Sequence, residues 1–325
     1  MQSFDQAQCE SLVKKLPSLR FDQNDSNWLS DPDVQSYLDF YHLEFTSEFA
    51  DLTHGFGTID SQGFQISTHY WIPQKPKGTL LIMHGYYDHT GLFGNAIRLG
   101  LEQDFAVLMF DLPGHGLSSG ERISIDSFDR YADILNDVLT FSRPHLPQEF
   151  YAWGQSTGST ILLNHLWRYS QTSLSPVNFI KQVLFAPLIL PRAWNSGRIL
   201  YWLIHKFVKR IPRKPSTNSH DKKFLYFLDH QDPLQTHNLS VAWVGAMKNW
   251  IRFCKTLSPL NNELLIVQGT GDGTVDWKYN IPILKRLLPK SHFKMIKEAG
   301  HQLVNETPEF RQPAFLEVIN YFSSK

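Results

Sequence analysis

The chain is short of cysteine, of net charge and of long apolar runs, and each shortage excludes a class of function. Its two cysteines, Cys9 and Cys254, are too few for a disulfide framework and lack any metal-ligand spacing. No metal or other cofactor is therefore expected, and a reducing, cytoplasmic setting is. Lysine plus arginine equal aspartate plus glutamate at 31 each, which predicts no general nucleic-acid surface. No uninterrupted apolar run approaches the roughly eighteen residues of a membrane span. Asp5, Glu10, Lys14 and Lys15 break up the first apolar side chains, so no secretory leader is expected. Repeats and low-complexity tracts are missing as well. What is present is 325 residues, 42% hydrophobic and 14% aromatic, enough for one large core with an insertion or for two modest domains.

Short apolar runs alternate with helical patterns along this length. After a polar stretch to about Glu44, expected to be helical, Gln65 to Trp71 alternates as a half-buried strand should. Thr79 to Met83 and Phe105 to Phe110 are apolar throughout, the pattern of strands covered on both faces in a parallel sheet. Helices are expected over about Phe93 to Gln103 and Ser127 to Phe141, the second opened by Asp126 or Ser127. A strand at 149–154, a helix at 157–169, and strands Gln182 to Ala186 and Glu263 to Val267 continue the alternation. Strand and helix taking turns predict βαβ units. Chemistry then collects beyond the carboxyl ends of the strands, where His84, Asp111, Ser156 and Asp272 all fall.

Gly154-Gln155-Ser156-Thr157-Gly158 directly follows the apolar run Glu149 to Trp153. A G-x-S-x-G match alone is weak, with roughly 0.1 expected by chance in a chain this long. Its position between a strand and a helix gives it weight, because a tight turn there lifts the serine out for attack and aims the next N–H, that of Thr157, at a developing oxyanion. A serine nucleophile needs a histidine base, and the histidine needs an acid to fix its tautomer. Asp272 follows the strand at 263–267 through Gln268-Gly269-Thr270-Gly271, and His301 follows Gly300. Asp276, four residues on, is a rival acid. The second oxyanion donor is assigned to the Tyr86 N–H, on the His84-Gly85-Tyr86-Tyr87 loop after the early strand. His84 is expected to brace that loop, and His115, between two glycines, to be structural.

Four segments together resemble the α/β-hydrolase group of bacterial lysophospholipases and monoacylglycerol lipases, often catalogued with the serine aminopeptidases. They are His84-Gly85-Tyr86-Tyr87-Asp88-His89, Asp111 to Ser118 with Gly120-Glu121-Arg122, the Ser156 turn, and Gln268 to Asp272 with Gly300-His301. The resemblance spans about Gly63 to Tyr321. It implies an α/β-hydrolase fold, a mostly parallel central sheet with helices on both faces and a helical cap insertion, with Ser156, Asp272 and His301 as nucleophile, acid and base. The group's usual Gly-His-Ser-Met-Gly-Gly turn is altered here by Gln155, Thr157 and Ser159. Thr157 keeps its N–H, while its branched side chain is expected to narrow the acyl pocket.

The expected organisation is an N-terminal extension over 1–50, a core over 51–190 and 259–325, and a cap over 191–258. Within the cap, Arg198 to Ile211 reads as one amphipathic helix with Leu200, Leu203, Ile204, Phe207 and Ile211 on one face, ended by Pro212. Val241 to Phe253 adds Trp243, Met247 and Trp250. From Arg192 to Lys223 nine basic residues stand against one acid, Asp221, so peripheral contact with anionic membrane is an expectation alongside a merely solvated basic face. The leading expectation is a lysophospholipase. Monoacylglycerol lipase or general carboxylesterase is the alternative, with serine aminopeptidase or a non-catalytic binding protein more distant.

Overall fold

A computed structural model of the chain describes residues 4–21, 26–169, 172, 174–213 and 216–324. Lys214 of the basic run lies outside these residues. Three helices, α1 (Gln6–Lys15), α2 (Ser26–Leu29) and α3 (Pro32–Phe40), precede the first strand. Asp5 and Gln8 cap α1 reciprocally, each side chain bonding the other's backbone N–H. The extension packs on the protein itself. Leu12, Val34, Tyr37 and Leu38 join the core, and Leu19 N–H and Thr58 N–H pair with Thr58 and Pro17 carbonyls at 2.8 and 2.7 Å.

The sheet begins with a hairpin, β1 (Thr53–Ser61) and β2 (Phe64–Ile72), joined through Gln62 and Gly63 with φ of +50° and +79°. The chain continues through β3 (Gly78–Met83), α4 (Gly94–Glu102), β4 (Phe105–Phe110), α5 (Phe128–Ser142), β5 (Phe150–Gln155), α6 (Thr157–Tyr169) and β6 (Phe179–Phe185). Ser127 caps α5 through its side chain, as one of the two expected caps. After β6 come α7 (Trp194–Ile204), β7 (Arg210–Pro212), α8 (Lys222–His230), β8 (Asn238–Ser240) and α9 (Val241–Thr256). The core resumes with β9 (Leu265–Gly269), α10 (Trp277–Leu287), β10 (His292–Ile296) and α11 (Pro308–Ser323).

The eight strands run in the order β1-β2-β4-β3-β5-β6-β9-β10. β2 is antiparallel to both its neighbours, and from β4 to β10 every pairing is parallel. Side chains alternate between two apolar layers. Leu81 and Met83 pack with α5, α6 and α9, while Leu80 and Ile82 pack with α3, α4 and α11.

Three expectations change here. β2 is not half-buried: Ser67, Thr68 and His69 are closed off as well, because the N-terminal helices cover the face that alternation assigned to water. His54 and His69 lie 3.2 Å apart there, and burial holds both imidazoles far below their ordinary range, hence neutral. The single amphipathic helix from Arg198 to Ile211 is instead α7 followed by a turn and β7. His205 Nδ1–H donates to the Tyr201 and Trp202 carbonyls at 3.1 Å, closing the helix, and β7 pairs with β8. The segment 241–253 does not stay in the insertion, because Trp243, Met247 and Trp250 of α9 are buried against α5 and α6.

Both cysteines are buried and unpaired, and burial pushes their thiols up, that of Cys9 to about 12. Among the described residues no helix is long and apolar enough to cross a membrane, and no three His, Cys, Asp or Glu side chains are grouped to hold a metal ion.

One buried polar cluster joins extension, core and insertion. Asp232 accepts from Tyr41 Oη at 2.7 Å, from His89 Nε2 at 3.0 Å and from Leu234 N–H at 3.0 Å. Burial works against both charges, yet the pairing leaves Asp232 below and His89 above its ordinary range, so the pair is ionised at neutral pH. Asp232→Ala strands a buried imidazolium and should destabilise the fold by roughly 3 kcal/mol, and Tyr41→Phe by about 1 kcal/mol. Urea unfolding of the two variants checks the ranking.

Candidate active site

Ser156 sits between β5 and α6 with φ +55°, a left-handed backbone rare for serine. Its neighbours must be small for that turn to close. A Cβ on Gly154 would stand 2.6 Å from Ser159 N, and one on Gly158 would stand 2.2 Å from the Met83 carbonyl oxygen. Ser156 N–H donates to the Phe185 carbonyl at 2.8 Å, tying the turn to β6.

His301 Nδ1 donates to Asp272 Oδ2 at 2.7 Å. Neutral imidazole then has Nε2 free to accept, and Ser156 Oγ lies 2.9 Å from it. Asp272 follows β9 and takes three further donors: Gln268 Nε2 at 3.0 Å, Thr274 N–H at 2.7 Å and Val275 N–H at 3.0 Å. Burial raises its carboxyl, but His301 and these donors outweigh that and hold it below the ordinary carboxylate range. Burial lowers His301, and the facing Asp272, with Asp88, more than offsets it, leaving the imidazole above its ordinary range. The rival acid is otherwise engaged, since Asp276 caps α10 and accepts from Tyr279 N–H.

Gln155, where the group usually has histidine, donates to the His301 carbonyl at 2.8 Å. His301 N–H in turn donates to the Asn218 carbonyl at 2.9 Å. The base is thus held from the core on one side and from the insertion on the other. Ser159 Oγ donates to the Gly154 carbonyl at 2.7 Å, a bond no glycine could make.

Tyr86 and Thr157 both line the cavity that contains Ser156 and His301. Gly85 brings the two loops together: a Cβ there would stand 3.2 Å from Ser156 Cβ. His84 braces the loop as expected. Its Nε2 accepts from Leu112 N–H at 2.9 Å, so Nδ1–H donates to the Gly85 carbonyl at 2.8 Å, and burial lowers the imidazole to about 4. His115 is buried against the Pro113 carbonyl and does not line the cavity. Asp88 does line it and was not singled out from sequence, since nothing in a loop aspartate announces burial. Gln302 Nε2 donates to it at 2.7 Å and Gly85 N–H at 3.2 Å, while burial pushes its carboxyl up to about 6.

The cavity measures about 290 Å³, and its remaining walls are mostly apolar, among them Leu188, Trp194, Leu200, Leu239, Trp243 and Val275. A hydroxyl, an imidazole and a carboxylate in line, opening on an apolar cavity, form the arrangement that acyl transfer requires.

A family model described as serine aminopeptidase, S33, matches residues 74–308. The chain belongs to that family. Its fold is that of the α/β-hydrolases. A rat monoglyceride lipase is 25% identical over 291 residues, covering 85% of this chain and 92% of the relative. A soluble variant of Saccharomyces cerevisiae monoglyceride lipase, solved with a substrate analogue, superposes with a TM-score of 0.68 at 17% identity, covering 82% and 94%. Paleococcus ferrophilus monoacylglycerol lipase superposes with a TM-score of 0.67 at 17% identity, covering 79% and 97%.

A histidine that must be neutral to accept the serine proton, and whose titration is raised, sets the acid limb of activity. The kcat/KM of this hydrolase should fall as pH drops through a midpoint above about 6.5, the ordinary imidazole value. Asp272→Asn should lower kcat by about 10⁴-fold and move the limb to lower pH. A pH–rate profile of both proteins on a soluble ester is the measurement, and an unmoved limb would dismiss the pairing.

Proposed function

We propose that this protein is a serine hydrolase of single-chain glycerolipid esters, with monoacylglycerol as the substrate class. The observation that carries the reading is the continuity of the Ser156–His301–Asp272 relay with one long apolar cavity, into which a single acyl chain fits. The relatives named monoglyceride lipase support the glycerol ester. They give no support to the leading sequence expectation, lysophospholipid, over its alternative.

In this mechanism Ser156 Oγ attacks the ester carbonyl carbon while His301 Nε2 takes the hydroxyl proton. The tetrahedral oxyanion accepts from the N–H groups of Tyr86 and Thr157. Collapse breaks the bond to the glycerol oxygen, which receives the proton from His301, and leaves an acyl ester on Ser156. Water, deprotonated by His301, then attacks that ester. The fatty acid departs, and the proton returns to Ser156. Asp272 stays ionised throughout and stabilises the imidazolium formed at each step. An aminopeptidase would instead need a free acid for the substrate's α-ammonium, and Asp88, the acid in the cavity wall, is engaged by Gln302 and Gly85.

The outer side of α7 and its following turn support docking on a lipid surface. Trp202 is 72% exposed and Phe207 86%, with Ile199 and Leu203 also exposed beside Arg198, Lys206 and Lys209. Each basic residue near an anionic surface contributes roughly 1 kcal/mol. Arg210 adds less, being paired with Glu121 at 3.2 Å.

Ser156→Ala should lower turnover of 1-oleoylglycerol by roughly 10⁶-fold and abolish labelling by a fluorophosphonate, with the circular dichroism spectrum kept. Labelling that survives removes the mechanism. The double variant Trp202→Ser, Phe207→Ser should sediment less with phosphatidylcholine vesicles containing phosphatidylglycerol, while retaining turnover of a soluble ester. Equal sedimentation would exclude docking through α7.

A further inference from the structure

The cavity has a polar wall that ester cleavage leaves unused. Arg213, immediately after β7, stands over the ring of Tyr87 with Cζ 3.3 Å from the centroid. It lines the cavity together with Ser156, yet among the described residues its guanidinium makes no ion pair and no hydrogen bond, and Nε is buried without a partner. A guanidinium withdrawn from water is ordinarily paired, because desolvation is costly and its fork of N–H donors fits carboxylate and phosphate oxygens.

Two further groups on this wall are equally unsatisfied. Asn218 Oδ1 and Gln302 Oε1 are buried without hydrogen-bond partners, and both residues line the same cavity. The nearby carboxylates are committed elsewhere. Asp88 receives Gln302 and the Gly85 N–H, and Asp229, on a smaller annex of about 170 Å³ that Arg213 also lines, faces His230 and His237 at 3.7 and 3.9 Å. A second arginine, Arg192, lines the cavity as well.

One cationic fork and two amide oxygens, all vacant on one wall, match a group that carries anionic oxygens beside a hydroxyl. We infer that Arg213 is an anion subsite, and that the glycerol ester cleaved at Ser156 is bound preferentially when its alcohol side carries a phosphate, with Asn218 and Gln302 accepting from the glycerol hydroxyl. This rests on the glycerolipid-esterase reading and narrows its substrate. Stacking on Tyr87 covers one face of the guanidinium and leaves the in-plane N–H groups for the ligand.

The test compares kcat/KM for 1-oleoylglycerol and for 1-oleoylglycerol 3-phosphate in neutral-detergent micelles, which remove any recruitment by anionic surfaces. The wild type should favour the phosphate-bearing ester by about tenfold or more, the usual worth of a charge-assisted pair. Arg213→Gln should abolish that ratio, and Arg213→Lys, which keeps the charge and loses the fork, should keep part of it. In the wild type alone, added sodium chloride should slow the phosphate-bearing ester selectively, a readout independent of any variant's folding. No preference in the wild type, or a preference that survives Arg213→Gln, overturns the subsite while 1-oleoylglycerol turnover stands. Inorganic phosphate competing with 1-oleoylglycerol in the wild type but not in Arg213→Gln, with no preference between the esters, would assign the site to free phosphate and overturn the headgroup. Turnover of neither lipid, with a p-nitrophenyl ester still cleaved, would overturn the glycerolipid reading beneath it.

Discussion

The left-handed backbone at Ser156 is the constraint on which the site is built. A non-glycine residue held there costs on the order of 1 kcal/mol or more, and persists only where its surroundings over-determine it. Here they do. β5 lies between β3 and β6, Ser156 N–H is tied to Phe185, and Thr160 N–H donates back to the Ser156 carbonyl at 3.1 Å. Gly158 touches the end of β3, so the same close approach that bends the turn also brings Thr157 beside the loop carrying Tyr86. With the serine fixed, the imidazole must be delivered to it, and Gln155 and Asn218 hold the His301 backbone from two directions.

The parallel strands were legible because each is an unbroken apolar run whose residues feed two layers at once. β1 was not. Its sequence carries two glycines, and both are there for contact: a Cβ on Gly55 would stand 2.1 Å from the Tyr70 ring, and one on Gly57 2.8 Å from the Leu19 backbone. Low strand propensity at these positions reflects neighbours that no local pattern reveals. In the site, the order of Ser156, Asp272 and His301 and their places after strands could be read directly. The choice between Asp272 and Asp276 could not, because one turn of chain decides which carboxylate faces the imidazole and which caps α10. Asp88 and Arg213 were missed for a similar reason, since burial beside the serine comes from loops folded over from elsewhere.

The base of the insertion and the oxyanion loop form one mechanical unit. Gln235 Nε2 donates to the Tyr87 carbonyl at 3.1 Å, Trp243 stacks on Tyr86 with ring centroids 4.0 Å apart, and Asp232 grips His89. Tyr86 Oη donates to the Ile123 carbonyl at 2.7 Å, which anchors the loop to the core as well. Displacing the base of the insertion would therefore carry the Tyr86 N–H with it. The outer edge is held differently. α7 meets α9 through Tyr201, over whose ring Lys248 stands at 4.9 Å, and its outward side chains face water. Rigidity is concentrated where an N–H must stay aimed, and the apolar edge is left where a lipid chain meets the protein.

Two carboxylates act on His301, and their environments give them different duties. Asp272 collects four donors and is ionised well before the imidazole titrates. Asp88 collects two, and burial pushes it up to about 6, below the raised imidazole. As pH falls, His301 therefore gains its proton before Asp88 does. Both carboxylates are negative when the imidazole takes the serine proton, so the imidazolium of the transition state forms between two anions rather than beside one. The same ordering explains how a second buried acid can be tolerated near the nucleophile: its charge opposes the oxyanion but favours the base, and Gln302 and Gly85 hold its oxygens in place.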